Sequence, residues 1–354
     1  PRDVPAADWA TAAPLHPEAR DALEAYLFPP EVDRADPERP GVRTDGFVVV
    51  HHGAVIYERY ADGYDASARH LAWSVTKTFT NALTGIAVRD GLLSLDDSIC
   101  AHLSGVPEAS CAVRVRDLLE FASGWDWHET YEGGGLRTSS VLAMLYGEGQ
   151  PDMATFVAGH PLRDPPGATW MYSSGDTNVL SAVVGRALRP TYGERFPWRA
   201  LLDPIGAGGA VWERDGAGTY VGSSYLWATP RDLARFGLLW LDDGCWGGAR
   251  VLPEGWVAAS TAVNEPIRRR ALARDPGDVQ GRQVWLNQRL PEQGQDTLPW
   301  PDVPEGSYAA QGHWGQFVAV IPAHDLVVVR TADDRDGTFD RNRALALAIG
   351  LVSR

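Results

Sequence analysis

The hydrophobic period of the chain changes several times, and each change predicts an element. Residues 1–16 are rich in Pro and Ala and read as extended. Pro17–Leu27 reads as a helix: Pro17 suits a first turn, and Leu23, Ala25, Tyr26 and Leu27 supply an apolar side. Pro29 and Pro30 stop it. Gly46–His51 (GFVVVH) and Ala54–Tyr60 (AVIYERY) are β-branched and aromatic runs around His52-Gly53, which predicts a hairpin. From Ser74 to Asp90 the period becomes helical. Phe79, Leu83, Ile86 and Ala87 recur at three- and four-residue spacing, and Gly91 stands just past the end. Apolar residues cover much of this helix, so it is expected to be central and buried.

From about residue 91 to 220 the pattern is mostly helical with long irregular loops: Val115–Phe121, Ser139–Tyr146, Met153–Ala158 and Asp176–Arg186. Thr229 and Pro230 open another helix over 230–242, as cap and first position. Residues 262–306 are rich in Pro, Gly, Gln and Asp, with one short β-like run at Gln283–Gln288. Tyr308–Gln311, Gln316–Ile321 and Leu326–Thr331 then read as consecutive strands, and 340–352 as an apolar terminal helix. The ends give helix, hairpin, strands and helix; the middle gives helices. The fold class is therefore α/β plus α: an antiparallel β-sheet flanked by terminal helices, with a mostly helical insertion. The expected division is an α/β domain from 1–90 and 221–354, and a helical domain from 91–220.

Composition narrows the function. Of 354 residues, 44 % are hydrophobic and 22 % charged, which excludes a disordered chain. The net charge of -14 argues against nucleic acid. The short run Arg268-Arg269-Arg270, followed by Asp275 and Asp278, reads as a solvated loop. No apolar run is long enough for a membrane span. No signal peptide is visible, and a start at Pro1 without Met points to processing or trimming. Three cysteines without a CxxC, and no HExxH, argue against a metal site. GxSxG and Gly-rich phosphate loops are absent. Cys100 and Cys111 flank a ten-residue loop, and either a disulfide or two buried thiols fits that spacing. Of the 32 basic residues 31 are Arg, and the one lysine is Lys77. A guanidinium supplies fixed charge but cannot give up its proton, so a lone lysine suggests chemistry.

Lys77 stands three residues after Ser74 (Ser74-Val75-Thr76-Lys77), which puts both on one face of the predicted helix. A serine hydroxyl needs a base to become a nucleophile, and an amine desolvated in apolar surroundings can be that base. Two further motifs follow. Tyr172-Ser173-Ser174 precedes a helix; a phenol near an ammonium is biased toward phenolate and can relay protons. His313-Trp314-Gly315 opens a predicted strand, where Gly315 lets a substrate approach the backbone.

These motifs, in this order, resemble the serine β-lactamase-like hydrolases: class C β-lactamases, penicillin-binding D-Ala-D-Ala carboxypeptidases, carboxylesterases and 6-aminohexanoate-dimer hydrolases. The likeness runs over about 44–351 and includes RDGLLSLDDSI (89–99), VRDLLEFASGWDWHETY (115–131), TPRDLARFGLLWLDDG (229–244) and GHWGQFVAVIPAHDLVVV (312–329). The resemblance implies Ser74 as nucleophile, Lys77 as base and Tyr172 as proton relay. It implies an oxyanion hole from the backbone N–H groups of Ser74 and of Gln316, which follows the HxG triplet on the edge strand. It implies an acyl-enzyme without metal or cofactor, and a small-molecule ester or amide as the partner.

Two departures bear on the substrate. Ser174 replaces an Asn that orients the substrate amide in such β-lactamases, and His313 replaces a Lys that faces a substrate carboxylate. Both favour an ester or an unusual amide over a β-lactam or peptide. A β-lactamase or D-Ala-D-Ala carboxypeptidase is the rival within the family, and an inactive binding or sensor relative is the rival outside it. Asp126 and Glu129, in a Trp-rich loop placed near the cleft by the resemblance, are candidates to orient a substrate amine or are a solvated pair. Trp125, Trp127, Trp170 and Trp314 are candidates to line an apolar cleft, while Trp240 and Trp256 read as core. Residues 262–306 are long enough to wall the cleft. Export to a periplasmic or extracellular space is preferred, because the family is often exported and a Cys100–Cys111 bridge suits an oxidising space.

Overall fold

The computed structural model describes residues 4, 9–133, 135–269 and 279–353. Six antiparallel strands form the main sheet: β1 (Thr44–His51), β2 (Ala54–Tyr60), β3 (Trp285–Leu286), β4 (Tyr308–Gly312), β5 (Gln316–Ile321) and β6 (Leu326–Ala332). Their order is β2-β1-β6-β5-β4-β3, so β1 pairs with β6 and the two ends of the chain meet in mid-sheet. The hairpin turn holds His52 and Gly53 at φ 50° and 81°, the left-handed pair that a two-residue connection needs.

Successive strand residues face opposite layers. Phe47, Val49, Phe317, Ala319 and Val328 pack against α1 (Arg20–Leu27) and the terminal helix Arg341–Ile349. Val48, Val50, Val318, Val320, Val327 and Val329 join the larger core on the other side, with α2 (Val75–Arg89), α3 (Ser174–Tyr192) and α4 (Pro230–Leu241). The sheet is buried on both faces, which explains why its strands read as continuous apolar runs. On α4, Thr229 and Asp232 form a reciprocal capping box, and Gly237 lets Val327 and Val318 of the sheet approach the helix backbone.

Most predicted elements form within a residue or two of their expected ends. The exceptions are the terminal helix, expected to reach 352 but ending at Ile349, and α3, expected to end at Arg186 but continuing through Pro190 to Tyr192. Pro190 falls in the last turn, on a helix already anchored by Val179, Leu180, Val183, Val184 and Leu188. The β-like run Gln283–Gln288 shortens to β3. Cys100 and Cys111 are bridged, and Cys245 is free. Arg268 and Arg269 end a short helix and pair with Glu292 and Glu265; Arg270, Asp275 and Asp278 lie outside the described residues, as do most of residues 1–8. Among the described residues, no helix is long and apolar enough to cross a membrane.

Candidate active site

Two segments present Ser74. The short strand His70–Leu71 pairs with Leu226–Ala228, and the Ala72 amide donates to the Leu226 carbonyl at 2.8 Å. Trp73 then turns through left-handed backbone at φ 48°, and Ser74 becomes the N-cap residue of α2. Its hydroxyl does not cap the helix. The Lys77 Nζ lies 3.0 Å from it, as the spacing predicts. Lys77 is 2 % exposed, and its other two contacts are the Ser174 Oγ at 2.9 Å and the Ser223 carbonyl at 3.0 Å. Burial lowers this amine from its usual range to about 8, against the pull of the Glu129 carboxylate, which favours the charged form.

Glu129 is the centre of a polar network. Its carboxylate accepts from the Ser174 Oγ at 2.5 Å, the Ser174 N–H at 3.0 Å, the Tyr131 hydroxyl at 2.5 Å and the Trp127 indole at 2.5 Å. Ser174 therefore accepts from Lys77 and donates to Glu129, linking amine to carboxylate. Neither the solvated-pair reading nor the substrate-amine reading of Glu129 describes this. Asp126 lies outside the network: its half-exposed carboxylate sits near Arg163 and His128 on the surface. Trp127 is buried behind Ser174, close against Gly175, where a Cβ would press on its ring. Direct substrate contact by Asp126, Trp127 or Ser174 is thus not what the packing gives.

The Tyr172 phenol stands beside Ser74, and its ring lies 5.0 Å from the Lys77 Nζ. The expected bias toward phenolate is reversed. Burial and the nearby Glu129 charge raise the phenol above its usual value and outweigh the Ser74 hydrogen bond that lowers it. Tyr131 is raised in the same way, first by burial and then by Glu129.

These groups open into a cleft of about 290 Å³, whose walls include Trp73, Tyr131, Tyr172, Trp285 and His313. A larger hollow of about 770 Å³ beside Leu136 and Phe156 contains no lysine, so chemistry and not volume selects the smaller one. The aromatic walls are not those expected. Trp125 and Trp170 are buried, Trp240 and Trp256 are core as predicted, and the cleft uses Trp73 and Trp285. The first adjoins Ser74 in sequence; the second lies in the one β-like run of residues 262–306.

The third motif also differs from expectation. His313–Gly315 is the turn between β4 and β5, not the start of a strand. Gln311, Gly312 and His313 line the cleft, whereas Gln316 is 2 % exposed on an interior strand, paired with Gly312. Gly312 needs to be glycine because a Cβ would press on the Ala72 carbonyl, two residues before Ser74. Gly315 is glycine for another reason: a Cβ there would collide with Asp334 and Arg330, away from the cleft. Trp314 packs edge-on against Trp73 at 5.2 Å and does not line the cleft. His313 lies 3.3 Å from Glu132, and burial holds its imidazole below its usual value. Among the described residues, no group of three or more His, Cys, Asp or Glu side chains is placed to hold a metal ion.

Comparison with known proteins gives the family and the fold. The chain is 28 % identical over 333 residues to the 6-aminohexanoate-dimer hydrolase of Paenarthrobacter ureafaciens, covering 90 % of this chain and 79 % of that one. Its fold is similar to that of a Bacillus anthracis protein assigned as a 6-aminohexanoate-dimer hydrolase (TM-score 0.70, 20 % identity, 98 % of this chain and 86 % of that one). It is also similar to that of a family VIII carboxylesterase (TM-score 0.68, 15 % identity, 97 % and 98 %). The family model for beta-lactamase matches residues 31–351, and the chain therefore belongs to the beta-lactamase family of hydrolases.

Proposed function

We propose that the protein is a serine hydrolase that cleaves a carboxylic ester or amide through a Ser74 acyl-enzyme. The observation that carries this reading is the contact between a fully buried amine and a serine hydroxyl at the head of a helix, 3.0 Å apart. With its pKa near 8, about one Lys77 in ten is a free amine at pH 7. In that form two N–H groups can still serve Ser174 and Ser223, which leaves the lone pair for the Ser74 proton.

In this mechanism Ser74 attacks the carbonyl carbon as its proton passes to Lys77. The oxyanion is met by the Ser74 N–H at the positive end of α2 and by the His313 N–H. His313 replaces Gln316 as second donor because Gly312 and His313 border the cleft beside Ser74 and Gln316 does not. Tyr172, a phenol in the resting enzyme, gives its proton to the leaving oxygen or nitrogen and is reprotonated by the Lys77 ammonium. Water then attacks the acyl-enzyme, its proton returns through Lys77, and Ser74 leaves with a proton.

The cleft favours esters and linear amides over β-lactams. His313 is neutral at pH 7 because burial lowers its pKa, so it offers no fixed charge to a β-lactam carboxylate. A fluorophosphonate probe should label Ser74 by mass spectrometry, and Ser74→Ala should abolish labelling and turnover. An unlabelled Ser74, as an inactive binding relative would give, overturns the reading. Assays of p-nitrophenyl butyrate, a linear 6-aminohexanoate amide and nitrocefin run in parallel should favour the first two; dominant nitrocefin turnover would make the protein a β-lactamase instead.

A further inference from the structure

The turn His313–Gly315 is held more firmly than a three-residue connection requires. Trp314 has left-handed backbone at φ 56°, and Gly315 follows at φ 88°. For a bulky residue such a conformation persists only where the surroundings over-determine it. From within the sheet, Arg330 on β6 donates from Nη1 to the Gly315 carbonyl at 3.1 Å and to Asp334 at 2.5 Å. Its Nη2 donates to Asp334 at 3.0 Å and its Nε to the Thr44 hydroxyl at 2.9 Å. The Gln316 side-chain amide donates to the carbonyls of His313 at 3.3 Å and Trp314 at 3.4 Å, and the Asp334 N–H donates to Trp314 at 3.2 Å. All three carbonyls of the turn thus receive a donor. On the outer side, the Arg335 guanidinium lies 3.3 Å from the centre of the Trp314 ring.

Arg330 is fully buried and Asp334 nearly so. A buried ion pair adds little net stability over apolar packing of the same volume, so its presence here calls for a positional reason. The position it fixes is one wall of the cleft. We propose that Arg330 is a positioning residue for the His313 backbone amide. By tying the Gly315 carbonyl to Asp334 it sets where that oxyanion donor stands relative to Ser74, without touching substrate. The proposal rests on the acyl-enzyme reading above.

The test compares Arg330→Lys, which keeps the charge without the fork, with the double variant Arg330→Met, Asp334→Asn. The double variant removes both charges of the pair and keeps an oxygen for the Arg43 amide, which donates to Asp334 at 2.8 Å. Sites are counted by fluorophosphonate labelling carried to completion. Then kcat and KM for p-nitrophenyl butyrate, and the affinity of a trifluoromethyl ketone that forms an oxyanion adduct, are measured per labelled site. Expected is a fall of about 100-fold in kcat for the double variant, KM within about threefold, and inhibitor affinity falling with kcat. Arg330→Lys should recover part of the loss. A kcat per site within about threefold of wild type, with only thermal stability lowered, overturns the proposal alone. If the double variant does not fold, Gly315→Ala, whose methyl collides with the same pair, must show the same kcat loss or the proposal falls. Absence of labelling in the wild-type enzyme overturns the acyl-enzyme reading, and the proposal with it.

Discussion

Opposed influences act on Lys77: burial lowers its pKa to about 8, while the Glu129 carboxylate, reached through Ser174, raises it. Only the free amine can take the Ser74 proton, so kcat/KM should rise with pH through a midpoint near 8. Removing the negative charge at Glu129 removes the attraction that favours the ammonium. Glu129→Gln should therefore move this rise to lower pH, by about half a pH unit or more. The pH profile of the variant measures this; an unmoved or higher midpoint contradicts the coupling. Lys77→Arg keeps the charge and nearly the length but cannot supply a free base. It should lose about 100-fold or more in kcat while far-UV circular dichroism stays unchanged. Near-normal turnover in that variant would end the assignment of Lys77 as base.

The helix carrying Ser74 and Lys77 was legible in the sequence because α2 is periodic: helical spacing alone placed both side chains on one face. The partners of Lys77 were not. Glu129 and Tyr131 lie in an irregular loop, where no period says which way a side chain points. Trp73 and Trp314 are left-handed residues that are not glycine, so propensity rules give no sign of the turns they make. That is why the HWG triplet reads as a strand start; Gln316 is named only through the family resemblance. At the head of α3 the element itself imposes a cost. Ser173 caps the helix by accepting from the Asp176 N–H at 2.9 Å, and Ser123 donates to the Asp176 carboxyl from its hydroxyl at 2.8 Å. Complete burial nevertheless raises Asp176 to about 7. Its native form binds a proton that the unfolded chain has lost between about pH 4 and 7, so this group makes stability fall as pH rises through that window. Asp176→Asn removes this titration while keeping an oxygen for Ser123. The variant should match wild type near pH 4 and exceed it by about 1–3 kcal/mol at pH 8. Urea unfolding at both pH values checks this, and a variant less stable than wild type at pH 8 would show that the carboxylate is favoured in the fold.

Across the whole molecule, the site is assembled from distant parts of the chain. Ser74 and Lys77 come from α2, Glu129 and Tyr172 from the helical middle, and Gly312 and His313 from the end of β4 near the C-terminus. The sheet that carries β4 closes only when β6 pairs with β1, across about 280 residues. Catalytic geometry therefore depends on the helical middle docking onto a sheet of non-local pairings, and local reinforcement of that middle acts on stability before it acts on chemistry. The Cys100–Cys111 bridge is such a reinforcement. It joins residues 11 apart, and neither cysteine borders the cleft. Cross-linking so short a loop restricts the unfolded chain by about 3 kcal/mol in the chain-entropy model. The folded contacts nearby are made by other side chains: Ser110 donates to the Ala158 carbonyl at 2.7 Å and accepts from the Trp125 indole at 3.3 Å. Cys100→Ser with Cys111→Ser should therefore lower the urea midpoint by an amount corresponding to about 2–3 kcal/mol. At 25 °C without denaturant, kcat and KM should stay within about twofold of wild type, since the folded ensemble still dominates. A large fall in kcat with an unchanged midpoint would mean that the bridge shapes the native site instead of restraining the unfolded chain.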